Sequence, residues 1–122
     1  IQVASVVALE SGPSVVKKIC GTYQNRRDTL VNGLNSIGWE NDLPKATMYL
    51  WAKIPQPYSS KGSLDFAERL LSNAKVAVSP GIGFGEYGEG YVRFALIENN
   101  QRIKQAVRGI REMFKKDGVS IK

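Results

Sequence analysis

Histidine is absent from the chain, and cysteine occurs once, at Cys20. The first absence removes the commonest general base and the commonest metal ligand. One cysteine without histidine cannot assemble a zinc site, and it excludes an internal disulfide framework. A lone thiol fits a reducing compartment, so a cytoplasmic location is expected. No apolar run approaches the roughly 20 residues that span a bilayer, so no membrane partner is expected. The opening stretch IQVASVVALE has no basic n-region and is too polar for a signal peptide. The chain starts at Ile1 rather than methionine, which fits a processed or excised chain.

What is present fits a globular chain of 122 residues, with 43% hydrophobic and 23% charged residues. That length suits one domain with a modest core. The net charge of +6 admits a nucleic acid or another anionic partner. The charges are spread along the chain, however, which favours a solvated basic surface and no nucleic acid. Their densest set is Arg102, Lys104, Arg108, Arg111, Lys115 and Lys116. The last two suit the negative end of a helix dipole. No aromatic RNA-binding motif and no zinc-finger spacing accompanies them.

Periodicity gives a coarse order of elements. IQVASVVALE reads as a short helix, interrupted by Ser11-Gly12-Pro13. Pro13 then opens a helix to about Ile37, with Val15, Ile19, Tyr23, Leu30, Leu34 and Ile37 on one face. Cys20 lies mid-helix beside apolar neighbours and is expected in the core. Gly38 stops the helix. Ala46 to Pro55 reads as a strand between prolines, with Tyr49 and Trp51 assigned to core packing. Ser63 is expected to cap a helix whose apolar face is Phe66, Ala67, Leu70, Leu71 and Ala74. Lys61 lies in a polar loop and is expected to be solvated. A short strand at KVAVSPG, a glycine loop and the strand YVRFALI come next. Ile103, Val107, Ile110 and Phe114 stripe the last helix, which Gly118 ends. The order helix, helix, strand, helix, strand, strand, helix predicts an α+β two-layer domain, a short sheet covered by helices.

The loop contains GFGEYG, Gly83 to Gly88, which matches a dinucleotide-binding pattern. That pattern requires a helix to open on the glycines so that its N-terminus meets the phosphate. Here a strand comes next instead, and Glu86 and Glu89 in the loop would repel a phosphate. The glycines are better read as a tight, close-packed connection before a strand.

Arg93 stands out in that strand. Val92, Phe94 and Leu96 share one face, and Tyr91, Arg93, Ala95 and Ile97 the other. Both faces are largely apolar, so the strand is expected to be buried on both sides. A buried guanidinium needs an anionic partner. The residues leave two readings open: a structural salt bridge to Glu86, Glu89 or Glu98, or a fork for a ligand carboxylate or phosphate. No nucleophile–base pair and no metal cluster is apparent, and Asp65 and Glu68 on one helix face have no partner for acid–base chemistry.

YQNRRDTLVNGLNSIGW (Tyr23 to Trp39), PKATMYLWAKIP (Pro44 to Pro55) and VSPGIGFGEYGEGYVRFALIENNQRIKQAVRGI (Val78 to Ile110) add further information. In that order they resemble the C-terminal part of fold-type-I, pyridoxal-phosphate-dependent aminotransferases. YLWAKIP and VSPGIGFG are most similar to the bacterial glutamate–pyruvate (alanine) branch. The resemblance implies that residues 1–122 form the small C-terminal domain of such an enzyme, without its large catalytic domain. It implies that Arg93 binds the α-carboxylate of the amino-acid substrate, and that the loop with Gly81, Gly83, Phe84 and Gly85 forms the adjacent wall. It further implies amino-acid and 2-oxo-acid substrates, pyridoxal phosphate as cofactor and a homodimer. The family's Schiff-base lysine lies in a Ser-Lys motif followed by Gly-x-Arg. Ser60-Lys61 is the chain's only Ser-Lys, and the residues after Lys61 do not match. The chain alone is therefore expected neither to hold the cofactor stably nor to transaminate. Two alternatives differ in kind: a stand-alone basic module binding a carboxylate metabolite or a nucleic acid, and a structural or dimerising domain.

Overall fold

The computed structural model describes residues 1–119; the last three residues of the expected single domain lie outside the described residues. Two helices open the chain, α1 (Gln2–Ser11) and α2 (Pro13–Ser36). Strand β1 (Tyr49–Lys53) is next, then a 3-10 turn (Gln56–Lys61) and helix α3 (Gly62–Arg69). Helix α3 widens into one π-helical turn (Leu70–Ala74). Then come β2 (Ser79–Pro80), 3-10 turns at Gly81–Phe84 and Glu86–Gly88, β3 (Tyr91–Ala95) and α4 (Asn100–Lys116). The element order is the expected one, and the α+β two-layer reading holds.

The sheet is antiparallel with β3 in the centre, in the order β1-β3-β2. Tyr49 pairs with Ala95, Leu50 with Phe94 and Trp51 with Arg93. On the other side of β3, Ser79 pairs with Arg93 and Pro80 with Val92. Pro80 is tolerated because β2 is an edge strand.

One face of the sheet carries the core. Leu50, Ala52, Val92 and Phe94 point into it and are buried. Trp39 is its centre, 2% exposed, and meets Phe66, Phe94 and Phe114 edge-on. Such pairs each add about 0.5–1.5 kcal/mol beyond area burial. The Trp39 Nε1–H donates to the Lys53 carbonyl at 2.7 Å, which satisfies the one polar atom of the indole. Helix α4 adds Ile103, Val107, Ile110, Met113 and Phe114 from one stripe. The Asn99 side chain caps it by accepting from the Gln101 and Arg102 amides.

Several expectations need correction. The strand expected over Ala46 to Pro55 is formed only at Tyr49–Lys53. Just before it, Thr47 takes a φ of 77°, which no strand residue does. Strand β3 is buried on one face only, because no layer covers the other: Tyr91 and Ala95 are exposed and Arg93 is half-buried. Tyr49 and Trp51 therefore point outward rather than into the core. Leu71, in the π-helical turn after α3, is exposed.

Of the stripe expected along α2, Leu30 and Leu34 are buried, while Tyr23 and Ile37 pack partly against the core. The earlier half stands clear of the core, so Val15, Ile19 and Cys20 are exposed, and α1 buries nothing. No described helix is long and apolar enough to cross a membrane.

Candidate functional site

The open face of the sheet presents Tyr49, Trp51, Tyr91 and Arg93, joined by Phe84 from the glycine loop. Register explains the grouping. Trp51 is opposite Arg93, and alternate residues of a strand share a face, so Tyr49 lies on the same side two positions along. The Arg93 guanidinium sits between two rings, 4.2 Å from the Tyr49 centroid and 4.2 Å from the Phe84 centroid. Trp51 meets Phe84 edge-on at 5.3 Å. Trp51 is 42% and Phe84 49% exposed.

Neither carboxylate expected in the loop partners Arg93. Among the described residues it forms no salt bridge and no side-chain hydrogen bond, with Glu98 or any other group. Its Nε is buried and unpartnered. No structural salt bridge from Arg93 to Glu86, Glu89 or Glu98 is therefore formed. The Nη pair is likewise without a hydrogen-bond partner among the described residues, but is not fully buried.

Glu89 serves another purpose. Its Oε1 accepts from the Ser63 amide at 2.6 Å and the Gly90 amide at 3.0 Å. Its Oε2 accepts from the Ser63 hydroxyl at 2.8 Å. These bonds hold the Glu89 carboxyl below the usual carboxylate range, the Ser63 hydroxyl contributing most. Ser63 is therefore not the cap itself; it is buried inside the first turn of α3, and Glu89 supplies the capping oxygens. The Ser63 hydroxyl also accepts from the Ile82 amide at 3.1 Å. The glycine loop is thereby tied to α3 at two points, on either side of Phe84.

The four residues expected at the wall all lie in the loop that carries Phe84 over Arg93. Gly81 is buried where a Cβ would overlap the Gly88 carbonyl and lie 2.6 Å from the Tyr91 carbonyl. Gly85 takes a φ of 105°, which L side chains rarely adopt. Gly83 faces open space, and Phe84 covers Arg93. Two 3-10 turns fill this loop, and no helix opens on the glycines, so the dinucleotide pattern is not built.

A second polar cluster was not evident from the sequence. The Arg69 Nη2 donates to Asp117 Oδ1 at 2.6 Å and its Nε to Oδ2 at 3.1 Å. The Tyr58 hydroxyl donates to the same Oδ2 at 2.7 Å. The Arg69 bond holds Asp117 below its ordinary range, and burial together with Asp117 pushes the Tyr58 phenol up. Every charge here has its partner, so the cluster closes the end of α4 onto α3 and offers no free group for chemistry. Its signal in the sequence is faint because Asp117 lies 59 and 48 positions from Tyr58 and Arg69.

The described residues do not fit pyridoxal phosphate. Lys61 is exposed at the end of a 3-10 turn, and the helix N-terminus beside it is already filled by the Glu89 carboxylate. The α4 N-terminus is filled by Asn99. No described group of three or more carboxylates and thiols is placed to hold a metal.

Residues 1–110 match the family described as aminotransferase class I and II. The chain belongs to that family. It is 58% identical over 119 residues to the glutamate–pyruvate aminotransferase AlaC of Escherichia coli, covering 98% of this chain and 29% of that one. It is 40% identical over 116 residues to the LL-diaminopimelate aminotransferase of Moorella thermoacetica, covering 95% of this chain and 29% of that one. Among solved aminotransferase structures, an aromatic aminotransferase from Pyrococcus horikoshii superposes with a TM-score of 0.81 at 29% identity, over 89% of this chain and 29% of that one. This chain thus spans less than a third of the length of these aminotransferases.

Proposed function

We propose that residues 1–122 form the small C-terminal domain of a pyridoxal-phosphate-dependent aminotransferase, in which Arg93 binds the substrate α-carboxylate. One observation carries the reading: a half-buried arginine on the open sheet face, fixed in place yet given no counter-ion. Its Nη pair can take a carboxylate bidentately. Phe84 covers one side of the guanidinium. Holding the carboxylate fixes where the amino group of the same molecule lies, which is catalysis by positioning. The cofactor supplies the electron sink when bound, and the residues that hold it lie outside this chain. The substrates are an amino acid and a 2-oxo acid, with alanine and glutamate the first to test, since the relative from E. coli is named for glutamate and pyruvate.

The open face is where the large domain would complete the site, and a homodimer fits the exposed apolar residues of α1 and early α2. The basic residues of α4 favour no nucleic-acid reading, because α4 packs on the covered face of the sheet, away from Arg93.

The test uses the complete reading frame that carries this chain, purified with pyridoxal phosphate. Amino transfer from alanine to a 2-oxo acid is expected, and Arg93→Ala is expected to lower kcat/KM by about 2–5 kcal/mol, roughly thirtyfold to several-thousandfold. Unchanged turnover by a folded Arg93→Ala variant would remove Arg93 from the site.

A further inference from the structure

A guanidinium that is half-buried and has no carboxylate beside it must be held by something else. For Arg93 the holders are aromatic and come from two independent segments. Tyr49 arrives on β1 and Phe84 on the glycine loop, each ring centroid 4.2 Å from the guanidinium carbon. A ring face attracts a cation through its quadrupole, and more strongly where water is excluded. Neither ring is part of the buried core, and Phe84 is half exposed. What Phe84 contacts on this face is Trp51 and the cation.

The Phe84 ring is itself braced. Trp51 stands against its edge, and Ile82, two residues earlier, donates its amide to Ser63, whose hydroxyl Glu89 holds. A loop anchored so closely to α3 keeps its aromatic ring over one spot on the sheet.

We infer that Tyr49 and Phe84 are positioning residues, a two-sided clamp that takes the place of an acidic counter-ion and holds Arg93 aimed before a carboxylate arrives. The inference rests on the reading of Arg93 as the carboxylate fork. An aspartate or glutamate in their place would fix Arg93 equally well, but it would occupy the Nη donors that the ligand needs. A ring face orients the cation and leaves those donors free. A pre-aimed side chain also loses less rotamer freedom on binding.

The test compares Tyr49→Phe, Tyr49→Leu, Phe84→Tyr, Phe84→Leu and Arg93→Lys in the complete reading frame. The measurements are KM for the amino acid, kcat, Tm, and the inhibition constant of propionate, a carboxylate that lacks the amino group. Each leucine variant is expected to weaken propionate about tenfold and raise KM in step, while the ring-retaining variants stay within about twofold. With Arg93→Lys already present, Phe84→Leu should add less than about threefold, because the two residues act through one contact. Leucine variants that bind propionate like the parent would overturn the clamp, as would ring-retaining variants that lose as much as the leucine ones. If Tyr49→Leu does not fold, Phe84→Leu at its exposed position carries the comparison. Arg93→Lys separates the two ideas. If it leaves propionate binding unchanged, the fork reading fails and the clamp with it. If it weakens binding about a hundredfold while the leucine variants do nothing, the clamp alone fails.

Discussion

Two glycines in helix interiors should respond to the same substitution with opposite signs. Gly21 lies in α2 and Gly109 in α4. Helix propensity alone favours alanine at both by about 0.8–1.0 kcal/mol. Around Gly21 nothing lies within 4 Å of an added Cβ, so propensity acts unopposed. At Gly109 the added Cβ would overlap the Ala74 carbonyl oxygen and lie 3.3 Å from its carbon. That neighbour is backbone, at the end of the π-helical turn, and cannot rotate away as a side chain would. Forcing α4 off this turn would also disturb Ile110 and Leu70, both fully buried. Overpacking of this kind costs about 1–3 kcal/mol, which exceeds the propensity gain. Gly21→Ala should therefore stabilise the chain by nearly 1 kcal/mol, and Gly109→Ala should destabilise it by up to about 2 kcal/mol net. Urea unfolding followed by circular dichroism reads both, with midpoints shifting in opposite directions at constant slope. A stabilised Gly109→Ala would refute the claim that backbone proximity outweighs propensity there.

Other expectations come from the polar contacts. Asp117→Ala removes both Arg69 bonds and the Tyr58 bond and should cost about 1–2 kcal/mol, the partial exposure of Arg69 keeping the value low; thermal unfolding checks it. Glu89 and Asp117 both have folded-state pKa values below their ordinary 4.5 and 3.8. Their stabilisation is thus fully present above those values and is lost as pH falls through the lower, folded-state ones. Tm measured from pH 6 downward should fall in that acid range, and Glu89→Gln should flatten part of the decline. An identical slope in parent and Glu89→Gln would show that the loop is not held through this carboxylate.

The order of elements is legible in the sequence because helix stripes, prolines and glycines mark local structure. Ile103, Val107, Ile110 and Phe114 recur at helical spacing and are buried in α4. Periodicity shows which residues share a face, but not whether anything packs against it. That is why Val15, Ile19 and Cys20 read as core and are exposed, and why Tyr49 and Trp51 read as core and face outward. Arg93 is visible as a lone charge in an apolar strand. The rings around it are not, because the β1–β3 register is a long-range property with no local signature. Glu89 illustrates the same limit: its carboxylate is conspicuous in the loop, but its partner Ser63 becomes evident only once α3 is placed beside that loop.

The aromatic clamp also has a place in time. Phe84 is separated from Arg93 by a short stretch of chain and can meet it early. Tyr49 is roughly forty residues away and reaches it only after β1 docks on β3, a closure whose entropic cost grows slowly with the length of the intervening loop. The brace of Phe84 is not local, however: Trp51 comes from β1 and Ser63 from α3. Both sides of the clamp are therefore complete only when the sheet and α3 are in place, and the setting of the Arg93 Nε–H should change together with the burial of Trp39. A single side chain would then record the completion of the whole fold.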